Sequence, residues 1–245
     1  MALAKLEALG RLGVTLEDHP SFYEPDELET DFLVSSGQQK IAIVTQNVDS
    51  LHQRAGSKCV IQLHGRGNLV KCMTCGKKRS RQDFHKELEA CNQEWLHEAL
   101  RGYDNDADLR PDGDALVTEV DYNQVCVPNC PYCEVGFFKP DVVFFGDTVP
   151  RNRVAISRAA VEAADGILVV GSSLAVHSAY RHVRSAIKLG KPVAILNVGE
   201  TRAEAEGLAG ILKIEAPAGD ALSLLVNQTM NGTESGWLSS AALQL

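Results

Sequence analysis

The sequence predicts an α/β protein with a parallel β-sheet, into which a small zinc-binding module is inserted. Two observations lead to this prediction. Short, continuous apolar runs alternate with helical patterns along most of the chain, which is typical of parallel strands buried on both faces. Two C-x-x-C pairs interrupt that alternation. At 245 residues, the chain is long enough for one to two domains.

Five apolar runs are the predicted strands of the sheet. Their residues are 40–45, 60–63, 142–145, 166–170 and 192–197. Helical patterns occupy the intervals, at residues 51–55, 81–101, 151–165, 176–189, 203–209 and 218–229. One more helix is predicted at the start of the chain, where Leu3, Leu6 and Leu9 recur at a regular spacing and Gly10 is placed to end it. Strands and helices that alternate in this way form a doubly wound, Rossmann-like sheet.

This organisation predicts two domains and a tail. Residues 1–65 and 138–230 form the Rossmann-like domain, in which residues 10–39 are interpreted as a surface insertion. Residues 66–137 form the zinc-binding module, and residues 231–245 are predicted to be a flexible tail.

The predicted metal site consists of two cysteine pairs of identical spacing: Cys72, Cys75, Cys130 and Cys133. The N-terminus has no secretory signal, so a metal site is favoured over a disulfide framework. Four thiolates suit the tetrahedral, closed coordination of a structural zinc ion. The alternatives are a redox dithiol and a coincidence of spacing. Cys126 is a possible substitute for Cys130, although its spacing breaks the symmetry of the pairs, and Cys59 and Cys91 are interpreted as ordinary thiols.

The net charge of −8 argues against nucleic acid as the main partner, because non-specific nucleic-acid binding depends on Lys and Arg side chains that neutralise phosphates. The longest apolar run, at 166–171, is far shorter than the ~20 residues of a membrane span. The N-terminal residues fit neither a signal peptide nor an acid-poor transit peptide, because Glu7, Glu17 and Asp18 come early. We therefore expect an intracellular protein that binds neither nucleic acid nor membrane. The sequence does not indicate its oligomeric state.

Polar or glycine-rich residues follow four of the predicted strands, at the edge of a parallel sheet where ligands bind. They are Gln46, Asn47, Val48 and Asp49; His64; Gly171, Ser172 and Ser173; and Asn197, Val198 and Gly199. Small residues at 171–173 allow a phosphate to approach the backbone at a helix N-terminus. Each group has a structural alternative, since turns and helix caps use the same residue types and a lone histidine is more often a structural hydrogen-bonding group. His64 is the candidate because Gly65 follows it and the zinc module begins there.

Motifs spread over about residues 40–226 resemble those of the sirtuin family. They are T-Q-N-V-D at 45–49, H-x-x-A-G at 52–56, L-H-G at 63–65, the two C-x-x-C pairs, K-P-D-V-V-F-F-G at 139–146, G-S-S-L at 171–174 and N-V-G-E-T-R at 197–202, in the family's order. The resemblance implies an NAD-dependent protein-lysine deacylase, which releases nicotinamide and transfers the acyl group to ADP-ribose. Residues 138–147 and the long interval between the cysteine pairs are most similar to class II sirtuins, the mitochondrial lipoamidase and ADP-ribosyltransferase type.

The resemblance also implies a role for each candidate residue. His64 is the base that activates a ribose hydroxyl, to which the near-neutral pKa of histidine is suited. Val143 and Phe144 pair through their backbone with an extended, acylated lysine peptide. The residues that bind the co-substrate NAD+ are Gln46, Asn47, Val48 and Asp49 at the nicotinamide ribose, Gly171, Ser172 and Ser173 at the phosphates, Asn197, Val198 and Gly199 at the adenosine ribose, and Ala218 near adenine. One structural zinc ion per chain holds the small module and takes no part in the reaction.

The sequence departs from the family at its start. Sirtuins begin with a strand and a G-A-G-x-S loop followed by G-I-P-D-[FY]-R, and the chain contains neither. We therefore expect an N-terminally truncated sirtuin that lacks the first βα unit and whose sheet has unpaired edges. The alternatives are a catalytically impaired, zinc-containing protein that binds peptides and, third, a zinc-ribbon nucleic-acid binder, against which the charge argues. The resemblance suggests the mitochondrial matrix, although the chain has no targeting segment.

Overall fold

The computed structural model describes residues 1–16, 39–99 and 121–230. The chain forms two compact units, one made of Met1–Gly65 and Val143–Leu245 and the other of Arg66–Val142. The second unit ends at residue 142 rather than at the predicted 137, because the strand Phe138–Val142 belongs to the sheet of that unit.

The helices and strands follow one another along the chain as α1 (Ala2–Ala8), β1 (Val14–Leu16), β2 (Gln39–Ile41), β3 (Ile43–Thr45), α2 (Leu51–Arg54), β4 (Val60–Gln62), β5 (Gly65–Cys72), β6 (Lys78–Ser80), α3 (Arg81–Ala90), α4 (Gln93–Ala99), β7 (Phe138–Val142), α5 (Arg151–Ala163), β8 (Ile167–Val170), α6 (His177–Lys188), β9 (Val193–Leu196), α7 (Arg202–Ala205), β10 (Ile211–Ile214) and α8 (Ala218–Met230). A short 3-10 helix, Tyr122–Gln124, precedes β7. Helix α7 is shorter than the predicted 203–209, because the chain turns at Gly207 with a φ of +66°.

The first unit contains two parallel ladders. Strand β3 pairs with β4, with Ile43 opposite Val60, and the other ladder has the order β10-β9-β8. All of these pairings are parallel, which confirms the predicted α/β fold. Helix α6 packs on β9 and on α5. The core between them contains Val161, Leu174, Tyr180, Val183, Ala186, Val193, Ile195 and Ala203.

The prediction of burial on both faces is confirmed for β9, in which Val193, Ile195 and Leu196 are buried, but is wrong for β8. Strand β10 was not among the predicted strands, and it is also exposed on one face. Ile167 and Ile211 pack against the core that α6 covers. The neighbouring side chains point the other way, and Leu168, Leu212 and Ile214 are 38%, 59% and 40% exposed. Successive residues of a strand face opposite sides of the sheet, so within the described residues helices cover only one of these sides well.

Residues 40–45, predicted as one strand, form two. Strand β2 pairs antiparallel with β1, whereas β3 pairs parallel with β4. The change of partner falls at Ala42, where the N–H groups of Ala42 and Ile43 both donate to the carbonyl of Cys59, at 2.8 and 3.0 Å. Two residues opposite one is the pattern of a β-bulge, and the bulge redirects the chain from one ladder to the other.

The predicted strand at 142–145 is displaced. Strand β7 ends at Val142, and a turn follows in which the N–H of Asp147 donates to the carbonyl of Phe144 at 3.0 Å. Strand β7 contains Pro140, which has no N–H to donate, and it lies at the edge of the order β6-β5-β7. An edge strand tolerates proline, and the strand ends at Val142, before most of the predicted apolar run.

Most of the predicted insertion at 10–39 lies outside the described residues, as does the predicted tail at 231–245. The two ends of the insertion are strands and not surface loop. Leu16 of β1 lies opposite Gln39 of β2, and Leu16 is buried in a cluster with Ile61 and Ala160. As for membrane insertion, none of the helices in the described ranges combines the length and the apolar character that a bilayer crossing requires.

The second unit is built on the antiparallel pair β5 and β6, with β7 on the other side of β5. Helix α3 begins after Ser80, whose Oγ accepts from the N–H of Asp83 at 3.3 Å. Phe84 of α3 packs on Phe138 of β7, with 5.2 Å between the ring centroids. These contacts hold α3 against the sheet that carries Cys72, one of the predicted metal ligands.

The helix predicted at 81–101 is two helices, α3 and α4, which are separated at Cys91 and Asn92. The side-chain amide of Asn92 donates to the carbonyl of Leu88 at 2.7 Å. A continuing helix would use that carbonyl for the backbone N–H of residue 92, so the side chain replaces the helical hydrogen bond and the helix ends there.

Candidate functional site

The predicted base, His64, lies just beyond the carboxyl end of β4. Its own carbonyl accepts from the N–H of Val143 at 2.8 Å, which fixes its backbone. Its Nε2 lies 2.7 Å from Oγ of Ser178, in the first turn of α6. The ring also makes a hydrogen bond with the backbone of Gln46, directly after β3. A neutral ring that donates from Nδ1 to a carbonyl leaves Nε2 free to accept, so Ser178 is the donor to Nε2.

Burial lowers the pKa of His64 below its ordinary value of 6.5. The hydrogen bond with the Gln46 backbone opposes this effect, whereas the positive charges of Arg181 and Arg153 add to it. The net direction is downward, so the imidazole is neutral at pH 7. A neutral imidazole whose Nε2 accepts a hydrogen bond from a hydroxyl is able to act as a general base.

A second contact joins the ends of the two parallel ladders. Oγ of Ser172, after β8, donates to Oε1 of Gln46, after β3, over 3.5 Å. The same Oγ accepts from the N–H of Leu174 at 3.2 Å. Both Gly171 and Leu174 have a φ of +58°, which is unusual for leucine and holds the turn in a tight conformation. Thus Gln46 contacts both His64 and Ser172, and these three residues lie together at the strand ends.

The remaining residues of the first group make local contacts. The N–H of Asn47 donates to Oγ1 of Thr45 at 3.1 Å, and Oδ1 of Asp49 accepts from the N–H of Leu51 at 2.9 Å. These are the turn and cap contacts of the structural alternative. The Asn47 side chain and the second oxygen of Asp49 lie in exposed positions, where a ligand can still reach them.

The loop after β9 folds onto itself. Nδ2 of Asn197 donates to the carbonyls of Val198 and Gly199, at 3.0 and 3.2 Å. Nζ of Lys213 donates to the same Gly199 carbonyl and contacts Glu204, both at 2.7 Å. The loop therefore has a defined shape, in which the Val198 side chain is 64% exposed. Lys213 is a member of this arrangement that the sequence did not indicate.

The other candidates occupy different places. Val143 and Phe144 follow β7, and the N–H of Phe144 donates to Oδ2 of Asp147 at 3.3 Å. With the Val143 N–H bonded to His64, both backbone donors of this predicted peptide-binding pair have partners inside the chain. Ala218 is the first residue of α8 and is half-buried.

A cavity of about 700 Å³ is lined by α5, by α6 and by residues 147–149. Its charged and polar lining residues include Asp147, Arg151, Arg158, Glu162, His177, Ser178 and Arg181. Ser178 both lines the cavity and contacts His64, so the cavity adjoins the imidazole. Nη2 of Arg181 has no hydrogen-bond partner among the described residues. The sequence did not indicate these two residues. Their spacing of three on α6, directly after the G-S-S-L turn, is the signal that could have done so.

His182, next to Arg181, gives the fold a predicted acid sensitivity. Burial lowers the pKa of His182 to about 4, and its Nε2 is buried without a hydrogen-bond partner in the described residues. The unfolded chain titrates near 6.5, so between pH 6.5 and 4 it binds more protons than the folded chain. We therefore expect the free energy of unfolding to fall by at most about 3 kcal/mol as the pH drops through this range.

Urea unfolding of the parent chain and of His182→Gln at pH 7 and pH 4.5 tests this expectation. The substitution is expected to make stability less dependent on pH, because glutamine does not titrate. His85→Gln is the matched control, since the His85 side chain is 65% exposed on the surface of α3. An equal pH dependence in the parent chain and in His182→Gln would contradict the assignment.

The four predicted metal ligands of the second unit lie together. The Sγ atoms of Cys72, Cys75, Cys130 and Cys133 are all within 4.8 Å of one another. Cys72 and Cys133 are 3.7 Å apart, as are Cys75 and Cys130. Zinc–sulfur bonds of ~2.3 Å in a tetrahedron require sulfur–sulfur distances of about 3.8 Å. The cluster therefore has the size that a zinc ion requires, and Cys126 is not one of its four members.

The surroundings favour the thiolate of Cys72 and disfavour that of Cys75. N–H groups of Cys75 and Thr74 point at Sγ of Cys72, at 3.5 and 3.4 Å, and the Cys75 N–H in particular lowers the pKa of Cys72 to about 6. For Cys75, the N–H of Lys77 lowers the pKa, but burial and the hydrogen bonds with the other thiols outweigh it and raise the pKa to about 11. A negative charge on one sulfur thus makes ionisation of a neighbouring thiol less favourable, and a bound divalent cation would offset this repulsion.

Comparisons with known proteins agree with this geometry. The chain matches the Sir2 family over residues 31–178. It is 46% identical over 195 residues to an NAD-dependent protein deacetylase of Bordetella bronchiseptica, which covers 80% of this chain and 67% of that protein. It is 46% identical over 193 residues to an NAD-dependent protein deacetylase of Xanthomonas campestris pv. campestris, which covers 79% of this chain and 62% of that protein.

A solved structure, Sir2-p53 peptide-NAD+, superposes on the chain with a TM-score of 0.61 at 26% identity, covering 94% of this chain and 69% of the other. The chain spans 62% to 67% of the length of the two bacterial relatives.

Proposed function

The chain belongs to the Sir2 family, and we propose that it is an NAD-dependent protein-lysine deacylase that transfers the acyl group to ADP-ribose and releases nicotinamide. The observation that carries the proposal is the arrangement around His64. A neutral imidazole accepts from a hydroxyl at Nε2, next to polar residues that end two parallel ladders. The two bacterial relatives are NAD-dependent protein deacetylases, which supports the same reaction class.

NAD+ is proposed to lie along the carboxyl ends of β3, β8 and β9. When bound, it supplies an electrophilic ribose carbon with nicotinamide as the leaving group. The residues proposed to hold it are Gln46, Asn47, Val48 and Asp49, Gly171, Ser172 and Ser173, Asn197, Val198 and Gly199, and Ala218. Two observations support the fit. Space is open at Gly171 and Gly199, where no atom lies within 4 Å of the position that a Cβ would take. Nη2 of Arg181, which has no hydrogen-bond partner within the part of the chain that the structure describes, offers a donor to an anionic group.

His64 is the proposed proton acceptor. Its Nε2 would take a proton from a ribose hydroxyl, and the carbonyl of Gln46, which accepts from the other ring nitrogen, would stabilise the resulting imidazolium. The Ser178 hydroxyl, at 2.7 Å, already makes the hydrogen bond that a ribose hydroxyl would make. Ser178 would therefore yield its place at Nε2 when the substrate binds.

Acylated lysine peptides are proposed to bind at Val143 and Phe144. Because both N–H groups have internal partners, the pairing would use backbone carbonyls, or the Phe144 N–H after its bond with Asp147 is released. Phe144 and the next residue, Phe145, are 46% and 99% exposed, and they offer an apolar surface to such a peptide. This would be a strand-addition mode of recognition, in which the backbone supplies affinity and pockets supply specificity.

A structural zinc ion is proposed at Cys72, Cys75, Cys130 and Cys133. The sulfur–sulfur distances and the conflict between neighbouring thiolates support this metal. Cys72 and Cys130 are buried in the same cluster as Val70, Phe84 and Phe138. Through these two ligands, a bound zinc ion would be attached directly to the apolar core of the second unit. Four thiolates leave no open coordination position for a reacting group.

We further propose class II membership, with the lipoamidase and ADP-ribosyltransferase type as the nearest activity, from residues 138–147 and from the long interval between the cysteine pairs. Location in the mitochondrial matrix stays a prediction from that resemblance. A deacylation assay with acetyl-, lipoyl- and glutaryl-lysine peptides identifies the acyl group that the chain prefers.

The first test is the melting temperature of the zinc-loaded chain with and without NAD+. A ligand that binds only the folded state, at ~100 times its dissociation constant, stabilises by about 2.7 kcal/mol, which raises the melting temperature by a few degrees in a chain of this size. We expect such a shift, and also nicotinamide release that needs both NAD+ and an acyl-lysine peptide. A cooperative melt that NAD+ does not move would contradict the NAD site.

That contrary outcome would favour the second candidate function, a zinc-containing peptide-binding protein. The observation that favours it is the exposed pair Phe144 and Phe145, which can contact a peptide without a cofactor. Fluorescence anisotropy of a labelled acyl-lysine peptide distinguishes the two functions. Binding of equal strength with and without NAD+, combined with no nicotinamide release, is expected for the binding protein alone.

A further inference from the structure

Two cysteines that the zinc cluster does not include lie against each other in the second unit. Cys91 caps the C-terminal end of α3, and Cys126 lies thirty-five positions later, in the segment that leads to Cys130. Sγ of Cys91 donates to the carbonyls of Glu87 at 3.1 Å and of Leu88 at 3.5 Å. It also contacts the carbonyl of Cys126, again at 3.5 Å.

The side chain of Asn92 fixes this approach. Its Nδ2 donates to the carbonyl of Cys126 at 2.7 Å, and its Oδ1 accepts from the N–H of Cys126 at 2.7 Å. The same Nδ2 also bonds to the Leu88 carbonyl, which anchors Asn92 to α3. Asn92 is buried, so these hydrogen bonds are protected from water. Asn92 therefore holds both the N–H and the carbonyl of Cys126 next to Cys91.

Sγ of Cys91 lies against the backbone of Cys126, and both thiols are accessible. Desolvation raises the pKa of the Cys91 thiol, and its side-chain hydrogen bond with Cys126 raises it further. Both residues are exposed, so a small oxidant in water can reach them. Two accessible thiols on adjoining backbone segments that are held in place are positioned to form a disulfide.

We propose that Cys91 and Cys126 form an oxidation site, which a peroxide closes to an intramolecular disulfide. The thiolate of one cysteine attacks the peroxide, the O–O bond breaks, and a sulfenic acid and one molecule of water form. The second thiol attacks that sulfur, the S–S bond forms, and a second molecule of water leaves. Two thiols thus lose two electrons and two protons to one hydrogen peroxide, which is reduced to two waters.

The site is distinct from the zinc ligands in position and in consequence. The disulfide would tie the end of α3 to the segment four residues before Cys130, and it would close a loop across thirty-five positions without using a metal ligand. Closing a loop of this length restricts the unfolded chain and raises the melting temperature of the unit that contains it. The raised pKa of Cys91 makes its reaction with peroxide slow at neutral pH and faster as the pH rises.

The test uses the full, zinc-loaded chain treated with a small molar excess of hydrogen peroxide, followed by non-reducing peptide mapping. The expected product is one cross-linked peptide pair that contains Cys91 and Cys126, lower in mass by the two hydrogens lost and separated again by dithiothreitol. A chelating dye measures free zinc in the same samples, and none is expected to appear before the cross-link is complete.

Three variants decide the outcome. Cys91→Ser and Cys126→Ser are expected to lose the cross-link entirely, whereas Cys59→Ser, which alters a cysteine of the first unit, is expected to keep it. Asn92→Ala, checked for a cooperative melt, is expected to form the cross-link several-fold more slowly, because the clamp on Cys126 is gone. The proposal is overturned if zinc is released before the cross-link forms, if the cross-link joins other cysteines, or if Asn92→Ala reacts as fast as the parent chain.

Discussion

Replacement of His64 by alanine is expected to lower the rate of NAD-dependent deacylation by about 10²- to 10⁴-fold, which is the usual contribution of a general base. The reason is local, because no other group of the described site combines a neutral side chain, a hydroxyl partner at 2.7 Å and a backbone acceptor on the opposite nitrogen. The measurement is the deacylated peptide formed from an acetyl-lysine peptide in the presence of NAD+, with chain concentration and zinc content matched.

His85→Ala is the control for this substitution, because His85 lies on the surface of α3, where it contacts Glu89 of the same helix. It is expected to keep the parent rate. Deacylation that is unaffected by His64→Ala would remove His64 from the role of base.

The pH profile provides a second readout. Since burial and two arginines lower the pKa of His64, the acid limb of the profile is expected below pH 6.5. In Arg181→Met one of those positive charges is lost, so the limb is expected to move to higher pH.

Replacement of Gly136 by alanine is expected to weaken zinc binding by about 10- to 100-fold, the range seen when groups next to metal ligands are altered. A Cβ at this position would lie 2.4 Å from Sγ of Cys72 and 3.0 Å from Sγ of Cys133. Neither distance leaves room for a methyl group, so at least one sulfur must move away from the tetrahedron. The backbone is constrained as well, since the carbonyl of Gly136 accepts from the N–H of Cys130 at 2.7 Å.

Zinc content by plasma mass spectrometry, and zinc release to a competing chelator, measure this effect. Gly219→Ala is the matched control, because nothing lies within 4 Å of its Cβ position and its φ is not left-handed. It is expected to keep one zinc per chain. Full zinc retention by Gly136→Ala would show that the four cysteines do not bind the metal together.

The parts of the fold that follow from period and spacing could be predicted. Runs such as 166–170 and 192–197 are apolar because parallel strands are packed between other elements, where unpaired polar side chains would be buried. Both runs are strands of the expected ladder. The metal site could be predicted equally well from the two cysteine pairs. Their two-residue spacing is set by the geometry of one metal ion and is independent of the long interval between them.

The parts of the fold that depend on contacts between distant segments could not be predicted from the sequence. Residues 40–45 read as one strand because the bulge at Ala42 exists only once Cys59 offers a single carbonyl to two N–H groups. The strand at Phe138–Val142 was displaced because its partner β5, and not its own apolarity, decides where it ends. Ser178 was missed for the same reason. A serine in a helix gives no sequence signal of a functional role, and the contact between Ser178 and His64 exists only in the folded chain.

Leu174 shows how a binding turn and a core can share one residue. Its side chain is only 2% exposed within the core beneath α6, yet its backbone has a left-handed φ of +58°. Such a conformation costs about 1–3 kcal/mol in a residue other than glycine. Glycine would relieve that cost but empty the core, and valine or isoleucine would fill the core but resist the backbone angle. Position 174 therefore accepts few substitutions, because a replacement must both fill the core and adopt a left-handed backbone. Substitutions at Ser172 and Ser173 must in turn preserve the turn that holds Leu174 in this conformation.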